Sequence, residues 1–316
     1  MKTDNRWLHR YVIFVAISTA VLLYWGGLVT STGSGLAVPD WPLSYGMLMP
    51  PMVGGIFYEH GHRMVATFVG LLTIILAFWL HKKEERKWVR TLGWTALGVV
   101  IFQGILGGIT VLFFLPLPVS VFHATLAQIF FCITLSIALF TSRFWRESVH
   151  HSIEPQKTSL RTITTVLVAV VFFQLIIGAI MRHMEAGLAI PDFPLAFGRI
   201  IPPVESAEVL VHFIHRLGAV AVTIAVLWYL VHVYKFYSSL KPFALPAIAL
   251  VLLLIVQITL GAYVIWSEKA IAITTFHLVT GALLLGTSVI AALVSFRLVK
   301  PEMGNIPVTA TPQQAQ

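Results

Sequence analysis

Eight apolar runs dominate the chain, near residues 11–31, 61–80, 92–113, 119–141, 162–181, 208–233, 243–266 and 271–296. Each reaches the roughly 20 residues that an α-helix needs to cross about 30 Å of hydrocarbon. Composition agrees, because 316 residues that are 58% hydrophobic and 11% charged cannot coat a water-soluble globule of that size. The expected class is therefore an all-α integral membrane protein with eight transmembrane helices. The first run is longer than a signal-peptide core and leads into a patterned loop rather than a small-residue cleavage site, so it is read as a retained helix.

The basic residues give that array a direction. Lys2, Arg6 and Arg10 precede span one; Lys82, Lys83, Arg86, Lys87 and Arg90 join spans two and three; Arg143, Arg146, Lys157 and Arg161 follow span four. Lys235 and Lys241 follow span six and Arg297 and Lys300 follow span eight, so sixteen of the 21 Lys and Arg lie on one side. By the positive-inside rule that side is cytoplasmic and holds both termini. The net charge of +8 is then a topology signal that can touch anionic lipid, and no nucleic-acid partner is read from it. Cys132 is the single cysteine and lies inside an apolar span, which excludes both a disulfide framework and a thiolate metal site within one chain.

The sequence also repeats itself. Gly35-Leu36-Ala37-Val38-Pro39-Asp40-Trp41-Pro42-Leu43 returns as Gly187-Leu188-Ala189-Ile190-Pro191-Asp192-Phe193-Pro194-Leu195, an offset of 152. Gly46 and Pro50-Pro51 match Gly198 and Pro202-Pro203; His62-Arg63 matches His215-Arg216 at 153; Gln103, Gly107 and Phe122-His123 match Gln257, Gly261 and Phe276-His277 at 154. Four spans per unit make both units enter the membrane in the same direction, giving two tandem four-helix bundles related by a pseudo-two-fold along the membrane normal. The expected domains are 1–150 and 151–300, joined through the polar stretch 142–160, with a disordered cytoplasmic tail at 301–316. Asp40 and Asp192 are expected to cap turns in the outer loops 32–58 and 183–207, with Trp41 and Phe193 at headgroup depth.

Four histidines stand out, since His62, His123, His215 and His277 each occupy the outer end of an even-numbered span and form two equivalent pairs. Facing helices of a bundle can bring side chains together in its core, and two imidazoles at matching depth can take opposite axial positions on a haem iron. One helix-end histidine would ordinarily be an interface or carbonyl-bonded residue; four at repeated positions, at membrane depth, point to ligation. Haem is favoured over a bare metal because no carboxylate or thiolate cluster completes a closed shell. Gly104, Gly107, Gly108 and Gly261 could let a flat macrocycle approach the backbone. Arg63 and Arg216 are candidate propionate partners, ordinary snorkelling being the alternative.

The repeat breaks three residues before the first ligand of each half, where Glu59 corresponds to His212. Spacing i, i+3 puts Glu59 on the His62 face, as an acid/base group or as a carboxylate favoured by the helix dipole. His60 points about 160° away from His62 on a helix and is a secondary ligand candidate.

Taken together, the loop from Thr32 to Pro42, the run Glu59-His60-Gly61-His62-Arg63 and the repeated Phe-His of spans four and eight resemble the haem A synthase family over about residues 10–297. That resemblance implies oxidation of the C8 methyl of haem O, by successive hydroxylations, to the formyl group of haem A, the last step in making this prosthetic group for cytochrome oxidase. It further implies a resident haem b on His215 and His277, haem O on His62 and His123 beside Glu59, and a bacterial cytoplasmic membrane. Haem O synthase and an electron donor are the implied partners, and a homo-oligomer is compatible with it. Some relatives carry a cysteine pair in the outer loops; neither 32–58 nor 183–207 contains one here. Two other classes remain open on the residues alone: a di-haem b-type electron-transfer cytochrome, and a parallel-repeat transporter, for which broken helices and a midplane site would be expected.

Overall fold

The computed structural model describes residues 6–148 and 159–299. The expected disorder of 301–316, the middle of the 142–160 connection, and Lys2, Lys157 and Lys300 lie outside the described residues. Eight long helices carry the chain: α1 (Arg6–Ser31), α2 (Gly54–Lys83), α3 (Lys87–Leu112), α4 (Leu117–Thr141), α6 (Leu160–His183), α7 (Ala207–Tyr237), α8 (Lys241–Trp266) and α9 (Ile271–Leu298). All eight are long and apolar enough to cross a membrane, and helices satisfy their own backbone groups there. Among the described residues there is no strand, only isolated bridges at Ser44–Met47 and Ala196–Arg199, matched by the repeat.

The helices overrun the apolar runs that announced them. α2 begins at Gly54 rather than 61 and ends on Lys82 and Lys83, because cations favour a helix C-terminus and the polar end turns need no hydrocarbon. Pro246 lies inside α8 without ending it. Hydropathy gave no hint of α5 (Arg143–Glu147), a five-residue helix started by Ser142, whose hydroxyl accepts the N–H of Trp145.

Each unit closes into a ring. In the first, α1 touches α2 and α4, and α3 touches α2 and α4; in the second, α6 touches α7 and α9, and α8 touches α7 and α9. Between the units, α1 meets α9, α4 meets α6, and α4 meets α9. Exchanging the units turns the first contact into the second and the third into itself, so the pattern is compatible with a two-fold relation between tandem bundles.

The two largest apolar cores each fill one end of a ring. The first core joins Leu8, Val12 and Val15 to Val69, Leu76, Phe130 and Ile137. The second joins Leu160 and Leu167 to Val222, Tyr229, Leu250 and Leu284. These residues lie toward the basic ends of their helices. Within these two cores the outermost residue of α2, α4, α7 and α9 is Val69, Phe130, Val222 and Leu284, in each case seven positions inward of that helix's histidine. Seven residues are about 10 Å of helix, so the histidines stand clear of the packed core, at the other end of each ring.

Candidate functional site

His62 and His215 lie eight residues into α2 and α7, and His123 and His277 lie six residues into α4 and α9. All four therefore sit about 9–12 Å along their helices from one face of the molecule. Within each ring the two helices that carry a pair are diagonal, separated by the other two. Across the second bundle the His215 and His277 rings are 6.4 Å apart, centroid to centroid. Two imidazole nitrogens each bonded at roughly 2 Å to one metal put their ring centres roughly 6 Å apart, so this spacing suits a single iron held between them.

Every ring rests on a glycine of a neighbouring helix. A methyl group at Gly26, Gly107, Gly178 or Gly261 would stand 3.2, 3.4, 3.1 or 3.1 Å from Cε1 of His62, His123, His215 or His277 respectively. A methyl at Gly26, Gly178 or Gly261 would therefore push the ring back by a few tenths of an ångström, whereas one at Gly107 would just touch it. Of the glycines expected to admit a macrocycle, Gly107 and Gly261 have the edges of the His123 and His277 rings beside them. Gly108 takes the Trp41 indole, to which a methyl would come within 2.7 Å, and Gly104 has nothing within 4 Å. Gly26 and Gly178 were not singled out, although their offset of 152 marks them as a repeated pair.

Glutamines contact three of the four histidines, two of them at the ring. The Nδ1 of His277 lies 3.1 Å from the Gln257 carbonyl oxygen, which can only accept, so Nδ1 carries the proton and Nε2 keeps the lone pair a metal would use. The Gln257 amide lies 3.3 Å from that Nε2. Its repeat partner Gln103 donates to the His123 carbonyl at 2.9 Å. Gln174 donates to the His215 carbonyl at 2.8 Å and lies 3.2 Å from His215 Nδ1. The Nδ1 atoms of His62 and His123 and the Oε1 atoms of all three glutamines are buried without a protein partner, which is rare in a packed interior. Among the described residues no three His, Cys, Asp or Glu gather as a metal site. Paired imidazoles, glycine cradles and orphaned polar atoms therefore fit a ligand that brings its own four equatorial nitrogens.

Glu59 is 4% exposed and uses both carboxylate oxygens: Arg63 Nη2 donates to Oε1 at 2.7 Å and the Val38 N–H donates to Oε2 at 2.7 Å. His212, at the same repeat position, accepts the Ile190 N–H at 3.3 Å. Val38 and Ile190 are themselves repeat partners, so the two side chains pin the same loop residue and differ in charge. His60, also buried, meets Ser44 at 2.8 Å on the loop side of α2, away from His62 as the helix angle requires.

Arg63 and Arg216 hold the outer loops. Arg63 donates to the carbonyls of Val38, Asp40 and Leu43 as well as to Glu59, and Arg216 to those of Ile190, Asp192 and Leu195. The Asp40 carboxylate accepts the N–H groups of Tyr45 and Gly46, and Asp192 those of Phe197 and Gly198. These N–H groups, that of Gly46 or Gly198 foremost, hold each exposed carboxyl below its usual range. The expected turn caps are thus present in both loops, each of which also has one cis peptide bond, at Trp41–Pro42 and Phe193–Pro194.

Residues 9–289 match the COX15-CtaA family, described as cytochrome oxidase assembly protein. A protein named heme A synthase from Alkalihalophilus pseudofirmus is 27% identical over 84% of this chain and 90% of its own length. One of the same name from Halalkalibacterium halodurans is 28% identical over 90% of this chain and 95% of its own. Another from Symbiobacterium thermophilum is 31% identical over 66% of this chain and 71% of its own.

Proposed function

Since the chain belongs to the COX15-CtaA family of cytochrome oxidase assembly proteins, we propose that it is a haem A synthase, an oxidoreductase acting on a methyl group. In this reading it converts the C8 methyl of haem O to a formyl group by successive hydroxylations. The observation that carries the proposal is the fourfold arrangement of imidazole on glycine, with one pair of rings at the 6.4 Å separation that a shared iron asks for.

The roles divide by bundle. His215 and His277 would hold a resident haem b, whose iron supplies one-electron redox chemistry when bound. His62 and His123 would hold the substrate haem O. Glu59 is the residue proposed for proton handling or orientation beside it, and its carboxylate stays in place because Arg63 and the Val38 N–H fix both oxygens. Arg63 and Arg216 keep the outer loop closed over each site; a propionate would reach either guanidinium by displacing a loop carbonyl. Both termini would face the cytoplasm of a bacterial cell, with the haem sites on the outer side of its membrane. Haem O synthase would supply the substrate, a donor of electrons would be needed for turnover, and a homo-oligomer is compatible with the reading.

Purification in mild detergent followed by haem extraction and chromatography tests the proposal. Haem b together with haem O or haem A supports it. Haem b alone at two per chain favours the electron-transfer cytochrome, and a preparation that never takes up haem overturns both.

A further inference from the structure

The two bundles differ along the face of the helix that cradles the first histidine of each pair. On α6 the residues Gln174, Gly178 and Arg182 follow one another at i, i+4 spacing and so share one face. On α1 the equivalent residues are Leu22, Gly26 and Thr30. Gly178 and Gly26 play the same part, receiving His215 and His62. On either side of that glycine, the second bundle has an amide and a guanidinium where the first has a leucine and a threonine. Thr30 spends its hydroxyl on the Gly26 carbonyl of its own helix.

Arg182 is, like Arg216, a cation without a carboxylate partner among the described residues. It stands on the seam between the bundles, where Nη2 donates to the Gly27 carbonyl and the Ser31 hydroxyl of α1, both at 2.8 Å. Its Nε is buried and has no partner, and no carboxylate among the described residues lies within ion-pair distance. Arg63, by contrast, has Glu59. A guanidinium taken out of water without a counter-charge is costly, and one turn further out than Gly178 it is about 6 Å beyond the level of the His215 ring.

We propose that Arg182 is a further anion-binding residue of the second bundle, besides Arg216, and that it pairs with a porphyrin carboxylate there and slows release of the porphyrin held by His215 and His277. The inference rests on the haem reading of the histidine pairs and adds to it a reason for unequal retention. Gln174 locks His215 from the inner side and Arg182 anchors the carboxylate from the outer side. At the equivalent positions of α1 the first bundle has Leu22 and Thr30, so a porphyrin there lacks both contacts. Loss of one charge-assisted hydrogen bond speeds release by about tenfold or more.

The test isolates each site in the full chain. A His62→Ala/His123→Ala protein keeps the second site, and a His215→Ala/His277→Ala protein keeps the first. Each is loaded with haem b, and transfer to an excess of apo-haem acceptor is followed by absorbance, with and without Arg182→Gln. Release from the second site is expected to be slower than from the first, and to rise about tenfold with Arg182→Gln while the low-spin spectrum persists. Release from the first site is expected to be unchanged. Ser31→Ala, which removes one of the two seam contacts and spares the guanidinium, is expected to leave both rates alone. The proposal is overturned if Arg182→Gln changes neither rate, changes both equally, or is matched by Ser31→Ala. If neither parent protein takes up haem, it is the haem reading itself that fails.

Discussion

A single methyl group added at Gly178 or Gly261 sets helix energetics against site geometry. Both residues lie within helices, α6 and α8, where Ala is more favourable than Gly by about 0.5–1 kcal/mol. At the site, the same methyl would stand 3.1 Å from Cε1 of His215 or His277. Carbon atoms in contact prefer about 3.5–4.0 Å, so the ring must retreat by about 0.4 Å or more. Metal sites hold their bond lengths to about 0.2 Å, and the ring has little freedom, since His277 Nδ1 is tied to Gln257 and His215 lies against Gln174. The haem-free Gly261→Ala protein should therefore be as heat-stable as the parent or more so. Its haem affinity should fall about tenfold, the equivalent of about 1.4 kcal/mol, and part of the low-spin ferric signal should become high-spin. Haem titration in detergent, followed by absorption and electron paramagnetic resonance, reads both quantities. Gly98→Ala, in α3 but exposed and toward the basic end of the helix, is the control, because nothing lies within 4 Å of the added methyl. Wild-type affinity and spectrum in both Gly178→Ala and Gly261→Ala, or equal damage from Gly98→Ala, would refute the reasoning.

Two further expectations concern the elements that surround the sites. Glu59→Gln keeps an acceptor for the Val38 N–H but removes the charge paired with Arg63; it should cut haem O turnover by about 100-fold or more with haem content unchanged. His212→Ala, the same repeat position without the charge, should leave most turnover intact, and comparable losses in the two variants would remove Glu59 from the chemistry. For the outer loops, Asp40 and Asp192 have folded-state pKa values below their ordinary 3.8, the Gly46 and Gly198 N–H groups being the main cause. A depressed carboxyl pKa gives stability that is complete above 3.8 and lost as pH falls through the lower folded value. Amide exchange at Tyr45, Gly46, Phe197 and Gly198, corrected for intrinsic rates, should then accelerate only below about pH 4, and acceleration beginning near neutrality would contradict the assignment.

Much of this architecture was legible because lipid imposes simple rules on a sequence. Eight helices follow from the length of apolar runs, the histidine level follows from the repeat, and the Asp40 and Asp192 turns follow from their setting among Gly and Pro. What stayed hidden is decided by contacts between helices rather than by the solvent a face meets. Gly26 and Gly178 look like any glycine in an apolar run until the imidazole opposite is known. Arg63 and Arg216 follow their histidines directly and so invited a propionate role, yet their terminal nitrogens are taken up by loop carbonyls 20 or more residues away in sequence. Glu59 and His212 looked like a broken symmetry; only the shared hydrogen bond to Val38 or Ile190 shows how much of their task is common. The glutamines Gln103 and Gln257 were visible as repeats, but no spacing argument says which carbonyl or ring they set.

The most direct test of the account counts haem per chain when each histidine pair is removed. Pyridine haemochrome assay after haem b reconstitution should find two per chain in the parent, one in His62→Ala/His123→Ala, one in His215→Ala/His277→Ala, and none when all four are replaced. Unchanged haem content in either double variant, with the protein still folded, would contradict the claim that these imidazoles are what holds the porphyrin.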